Sequence, residues 1–187
     1  MVLHTLHWLW AIWAGIWLLA SRWSAPTLER ETLRAHLFVH GLMAVAWVLL
    51  LGMLHRPSWL AATLSPLASF GPPLGLGLTV LGLAFSVWAR AHLGRLWSVA
   101  ATFKVDHVLV QTGPYGMVRH PIYTGLLTAV LGTSLAHATA SAALGFTLFL
   151  VACLLKVRHE EHLLMRHFAE RYDVYRREVR ALIPFVI

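Results

Sequence analysis

The sequence predicts an all-α integral membrane protein of about five transmembrane helices, with a tight C-terminal helical hairpin and an amphipathic cytoplasmic tail helix. Three observations carry that prediction. The 187 residues are 58% hydrophobic and 12% charged, with a mean hydropathy of +0.67, against about 25% charged residues in a soluble domain. Four long upstream stretches contain no Asp, Glu, Lys or Arg, whereas Lys156–Ile187 holds seven basic and five acidic residues. Apolar runs of about 17–25 residues, the length a helix needs to cross a bilayer, recur along the chain. This composition excludes a disordered chain, a secreted disulfide scaffold and an ordinary soluble enzyme.

The first run, Leu3–Ala20, contains no Lys or Arg, and the first basic side chain is Arg22. A signal peptide begins with a basic region, so this segment is expected as a retained span. His36–Leu54 is the second, and Pro72–Ala89 the third, with the Pro72-Pro73 pair at its start, where a missing N–H costs nothing. Pro121–Ala136 and Thr139–Leu155 follow, separated by a short turn around His137-Ala138. In the tail, Leu164, Phe168, Tyr172, Tyr175, Val179 and Leu182 recur at helical spacing, and Pro184 is expected to end that helix.

Charge placement supplies an orientation. Segments 21–35 and 90–120 and the tail from Lys156 together hold fourteen of the fifteen Lys and Arg residues, and the intervening 55–71 holds only Arg56. By the positive-inside rule the N-terminus is outside, and the tail and the 90–120 segment are cytoplasmic. The net charge of +7 is thereby accounted for without nucleic acid. The single cysteine, Cys153, lies in an apolar run and reads as a small buried hydrophobe. The nine tryptophans are expected at the interface or facing lipid. The pairs His4/His7 and His36/His40 have metal-compatible spacing, but their helices carry no acidic or cysteine partner, so no metal site is expected.

A tight hairpin brings its own ends together, which makes Arg90–Tyr123 and Lys156–Ile187 neighbours. The first piece carries His107-Val108-Leu109-Val110, Gly113-Pro114-Tyr115 and Arg119-His120-Pro121-Ile122-Tyr123; the second opens with Glu160-Glu161. An apolar strip can offer backbone groups to a flat base. Paired carboxylates beside a membrane need solvent or a cation.

The ordered set from Leu93-Gly94-Arg95-Leu96-Trp97-Ser98 through His120-Pro121-Ile122-Tyr123-Thr124-Gly125, and the ending Glu160-Glu161, His167-Phe168, Tyr172, Tyr175 and Ile183-Pro184, closely resemble the isoprenylcysteine carboxyl methyltransferase family, with its phospholipid N-methyltransferase relatives. The resemblance covers about half the chain. It implies S-adenosylmethionine as cofactor, contacted by His107, Val108, Leu109, Val110, Tyr115, His120, Pro121, Ile122, Tyr123 and Glu161. It also implies an arginine, for the substrate carboxylate, four residues before the cofactor-binding glutamate. Here that position is Val157, with Arg158 next to it. Arg158, Glu161 and His120 are accordingly the candidate catalytic residues.

The expected function is methyl transfer to a lipophilic acceptor, an isoprenylcysteine-like or other isoprenoid carboxylate. A phospholipid amine is the alternative acceptor, and would require a base such as His120. The rival classes are an NADPH-dependent membrane sterol-type reductase and a non-catalytic scaffold. The expected partners are a small lipophilic or prenylated acceptor and membrane lipid, with no nucleic acid and no obligate protein partner. Residues 1–70 are expected to form two accessory helices, and residues 71–187 the methyltransferase core.

Overall fold

Long apolar segments become helices here because a bilayer offers no partner for an open backbone group. The computed structural model describes residues 1–30, 32–52, 57–64, 69–98, 102–104 and 108–184. Its helices are α1 (Val2–Ser21), α2 (Leu33–Leu51), the single turn α3 (Ser58–Ala61), α4 (Gly71–Leu93), the single turn α5 (Pro114–Met117), α6 (Pro121–His137) and α7 (Ala140–Glu178). Helices α1, α2, α4 (with the turn that follows it) and the first part of α7, to Phe168, are long and apolar enough to cross a membrane. Helix α6, where the fifth span is expected, has 17 residues, about 26 Å at 1.5 Å per residue, and is not among these four helices. The chain is a multi-pass membrane protein.

Helix α4 packs along α6 and α2 along α7, while α6 and α7 form the hairpin and α1 leans on α4 and α6. The hairpin turn is Ala138-Thr139: Ala138 adopts a left-handed conformation, and the Thr139 side chain accepts from the Ala142 N–H. The α4–α6 contact is set by glycine. A Cβ added to Gly132 would stand 2.5 Å from the Gly75 carbonyl oxygen, and one added to Gly125 would stand 2.6 Å from that of Gly82. No side chain fits there, so the two antiparallel backbones touch at two levels, a packing that membrane helices use where burial of apolar surface gives no drive. Between those levels Thr79 donates to the Gly75 carbonyl at 2.8 Å, and Thr133 to that of Ala129 at 2.9 Å.

Some of the tryptophans depart from the expectation placed on them. Trp10 Nε1 donates to Thr133 Oγ1 at 3.0 Å and Trp13 Nε1 to Ser86 Oγ at 2.9 Å, which docks α1 on the seam. Trp97 is also buried, whereas Trp8, Trp23 and Trp59 are exposed. An indole N–H needs an acceptor inside a membrane, and the seam hydroxyls supply it.

At one end of the bundle, strand β1 (Thr27–Arg30) pairs antiparallel with β2 (Thr102–Lys104). Glu29 there accepts from Arg166 and His167 of α7, at 2.5 and 2.7 Å. At the other end, Leu64 N–H donates to Ala138 at 2.7 Å and Ala140 N–H to Ala62 at 3.1 Å. The loop after α1, the segment after α4 and the tail thus gather at one end, as the charge count groups them.

The tail departs from its expected shape. It is a continuation of α7, which bends at Ala169 (φ 43°, ψ −116°) and stops at Glu178 rather than at Pro184. Val179 turns extended, and the carbonyls of Arg180 and Ala181 accept from the backbone N–H groups of Arg119 and His120 at 2.8 and 3.0 Å. Tertiary hydrogen bonds to the segment entering α6 replace the last helical turn.

Candidate functional site

A helix rising 1.5 Å per residue carries α7 across a hydrocarbon core of about 30 Å in roughly 20 residues, which brings Glu160 to the boundary at the charged end. Two other local features aim side chains at that point. Gly113 has φ 58°, and a Cβ there would collide with the His92 ring, so the chain turns sharply into Pro114 and Tyr115. Pro121 then opens α6 with His120 as its cap residue, setting His120 and Tyr123 on the first turn facing α7.

The result is a cavity whose lining comes from every expected piece. Val108, Leu109 and Val110 form one wall with Leu93, Leu96 and Trp97; Tyr115, Ile122 and Tyr123 form another; Leu163, Leu164, Tyr172 and Tyr175 cover it from α7. Its charged members are Arg119, His120 and Glu160. Arg90 stabilises the rim, donating to the Gly94 and Ala20 carbonyls at 2.6 and 2.7 Å with its guanidinium 4.5 Å from the Trp97 ring.

The two glutamates part company. Glu160 lines the cavity, accepts from the Tyr123 hydroxyl and faces His120 Nδ1 at 3.5 Å. Glu161 accepts from Arg119 Nε and Nη2 at 2.9 and 2.6 Å and faces His120 Nε2 at 3.3 Å. Both nitrogens of the buried His120 ring therefore face a carboxylate, and both donate only in the imidazolium. Burial works against that charge, but the hydrogen bonds to Glu160 and Glu161 outweigh it and hold His120 above its ordinary value. Two cations then balance two anions. Burial pushes the Tyr115 phenol far up and that of Tyr175 to about 12, so both stay protonated. Tyr175 donates to the Tyr115 carbonyl at 2.6 Å, tying the far part of α7 to the cavity wall.

Of the residues singled out in the sequence, Val108, Leu109, Val110, Tyr115, His120, Ile122 and Tyr123 share this lining. Pro121 is fully buried behind it. Glu161 stands beside the cavity in its pair with Arg119, and Arg158 is exposed and outside the lining. His107 lies outside the described residues. Sequence reasoning gave no role to Arg119, which also donates to the Arg176 and Val179 carbonyls, nor to Lys156, only 5% exposed in α7 and within electrostatic reach of Glu160. A lysine four residues before a glutamate on one helix was the available signal for that pair.

Residues 75–166 match the pattern of the isoprenylcysteine carboxyl methyltransferase (ICMT) family. Through this segment, just under half of the chain, the protein is similar to that family. It is 33% identical over 114 residues to a protein-S-isoprenylcysteine O-methyltransferase of Schizosaccharomyces pombe, covering 59% of this chain and 48% of the relative. A Saccharomyces cerevisiae protein of the same name is 33% identical over 116 residues, covering 60% and 50%. A nickel-cobalt-cadmium resistance protein, NccN, of Alcaligenes xylosoxydans xylosoxydans is 38% identical over 99 residues, covering 50% and 45%. The chain spans about half the length of these curated relatives. The family segment runs from α4 into α7 and so contains most of the cavity's walls.

Proposed function

We propose that this protein is an S-adenosylmethionine-dependent membrane methyltransferase that esterifies the carboxylate of a lipophilic, isoprenylcysteine-like acceptor. The observation that carries the reading is the cavity itself: a carboxylate, Glu160, faces an apolar wall at Val108–Val110, at the end of the bundle where its charges collect. The donor set fits the cofactor. Glu160 suits an ammonium group, the Val108–Val110 strip suits a flat base, and the tyrosines enclose both. The cofactor supplies an electrophilic methyl group on a sulfonium.

The chain's own residues then position and desolvate. An acceptor carboxylate is already ionised, so no general base is required. Holding two reactants in line is worth up to about 7–11 kcal/mol in favourable cases. His120 and Arg119 hold the two glutamates in place. With Glu160 as the cofactor's carboxylate, the position four residues earlier is Lys156, which becomes the cation for the acceptor carboxylate, in the place the resemblance gives to arginine. Glu161 then serves as the anchor of Arg119, and Arg158 is left to the surface. The chemistry resides in residues 71–187, with α1 and α2 as buttresses, and the charged end faces the cytoplasm.

The test is calorimetry on detergent-purified protein with S-adenosylhomocysteine and, separately, NADPH, followed by transfer of a labelled methyl group to N-acetyl-S-farnesylcysteine. Micromolar binding of S-adenosylhomocysteine and base-labile label on the acceptor support the reading. Binding of NADPH alone overturns it in favour of a reductase, and base-stable label on phospholipid moves the acceptor to an amine. In the transfer assay, Lys156→Met raises the acceptor KM while Lys156→Arg restores it.

A further inference from the structure

The loop between α1 and α2 lies outside residues 75–166, the segment that matches the family pattern, yet it touches the cavity's surround in three places. Ser24 Oγ donates to the carbonyl of Trp97, a lining residue, at 2.7 Å, and the Ala25 N–H to that of Arg95 at 2.8 Å. Strand β1 pairs with β2, which ends at Lys104, just before the wall formed by Val108, Leu109 and Val110. Glu29, on β1, clasps α7 with both carboxylate oxygens. Its Oε1 accepts from Arg166 at 2.5 Å and its Oε2 pairs with His167 Nε2 at 2.7 Å.

That clasp holds the turn of α7 that precedes the bend. Ala169 has φ 43° and ψ −116°, a conformation that costs free energy for a residue with a Cβ and persists only where the surroundings impose it. Beyond the bend the chain is fixed to the site. Tyr175 donates to the Tyr115 carbonyl at 2.6 Å, and Arg119 to the carbonyls of Arg176 and Val179. Tyr172 and Tyr175, both past the bend, line the cavity. We infer that Glu29 is a positioning residue for this cavity: by holding Arg166 and His167 it keeps α7 bent at Ala169, and the bend keeps Tyr172 and Tyr175 over the ligand. The identity of that ligand rests on the methyl-donor reading above. Without the clasp a share of the molecules straightens α7, and the apparent affinity falls by the fraction that stays bent. Ion pairs as exposed as these are individually weak, so the loss is modest.

The experiment uses the full-length protein as wild type, Glu29→Gln, Ala169→Gly and the double variant. Affinity for S-adenosylhomocysteine is measured by calorimetry, alongside each melting temperature. Glu29→Gln is expected to bind about fivefold more weakly, as it would with about one fifth of the molecules bent. Ala169→Gly alone binds as wild type. The double variant regains wild-type affinity, because glycine adopts the bent conformation freely and disfavours the straight helix. Arg166→Gln opens the clasp from the other side and reproduces the fivefold loss, which keeps the test decisive if Glu29→Gln does not fold. A Glu29→Gln protein that melts lower but binds as wild type assigns the residue to the fold of the loop and overturns the inference. A double variant as weak as Glu29→Gln also overturns it, since the effect then does not pass through the bend; both results leave the methyl-donor reading intact. Wild-type protein that fails to bind S-adenosylhomocysteine brings down the donor reading, and this inference with it.

Discussion

The α4–α6 seam and the cavity at the charged end both bury polar atoms between helices, by opposite means. Along the seam, glycine removes the side chain altogether, and the hydroxyls of Thr79, Ser86 and Thr133 return their hydrogen bonds to carbonyls of their own helices, as Thr79 also does to the Ala129 carbonyl across the seam at 3.2 Å. Among the described residues, none of these seam hydroxyls is left without a partner. At the cavity, long side chains reach across a gap, and the charges of Arg119, His120, Glu160 and Glu161 satisfy one another. The seam fills its interior with backbone, and the cavity leaves a gap lined by side chains.

Substitutions that violate the seam have the largest expected effect. Gly125→Leu drives a branched side chain into the Gly82 carbonyl and the Ser86 backbone, where no flexible neighbour can yield. A loss of more than about 3 kcal/mol is expected, beyond the usual cost of overpacking because backbone must move, and it is read as collapse of the melting transition in detergent. At the cavity the same kind of experiment moves binding more than folding. Glu160→Gln keeps an acceptor for Tyr123 but removes the charge, and S-adenosylhomocysteine affinity falls about 100-fold, the scale of a buried charge-assisted contact.

Titration separates the regions again. The His120 imidazolium, held above its ordinary value of 6.5 by its two carboxylates, contributes stability that is complete below that value. The contribution is lost as pH rises through the higher folded value. The melting temperature of the wild type is expected to fall across that interval, and His120→Gln to flatten the profile; a wild-type profile that rises there sinks the assignment of the charged state. The smallest effect belongs to the bend that brings α7 over the cavity. Ala169 holds φ 43°, a conformation that disfavours any side chain, so Ala169→Gly is expected to stabilise the protein by about 1 kcal/mol, seen as a higher melting temperature with unchanged binding.

Much of this was legible in the residues. Helix positions followed from the length of uncharged runs, and the hairpin turn, expected at His137-Ala138 and found at Ala138-Thr139, from the short gap between two of them. The gathering of three segments at one end followed from where Lys and Arg fall. The cavity wall from Val108 to Tyr123 was legible because the motif is contiguous. Other features depend on the phase and pairing of helices, which one chain does not display. Glu160 and Glu161 are adjacent, about 100° apart around α7, and which one meets the cavity is decided by the buried face of Ala152, Lys156 and Leu163. Gly75, Gly82, Gly125 and Gly132 stand seven apart in each helix, yet only the docking of α4 on α6 shows that they face each other. Pro184 was a sound stop signal overruled at Val179, because the unpaired N–H groups of Arg119 and His120 had to be met by carbonyls of the tail.

The central claim is that the cavity binds the S-adenosyl group and that Glu160 is its carboxylate, while Glu161 holds Arg119. Calorimetric titration of S-adenosylhomocysteine into wild type, Glu160→Gln and Glu161→Gln tests both halves together. The account predicts micromolar binding by wild type, about 100-fold weaker binding by Glu160→Gln, and binding within about tenfold of wild type by Glu161→Gln, whose loss falls instead on the melting temperature. Retention of binding by Glu160→Gln together with its loss in Glu161→Gln would contradict the account.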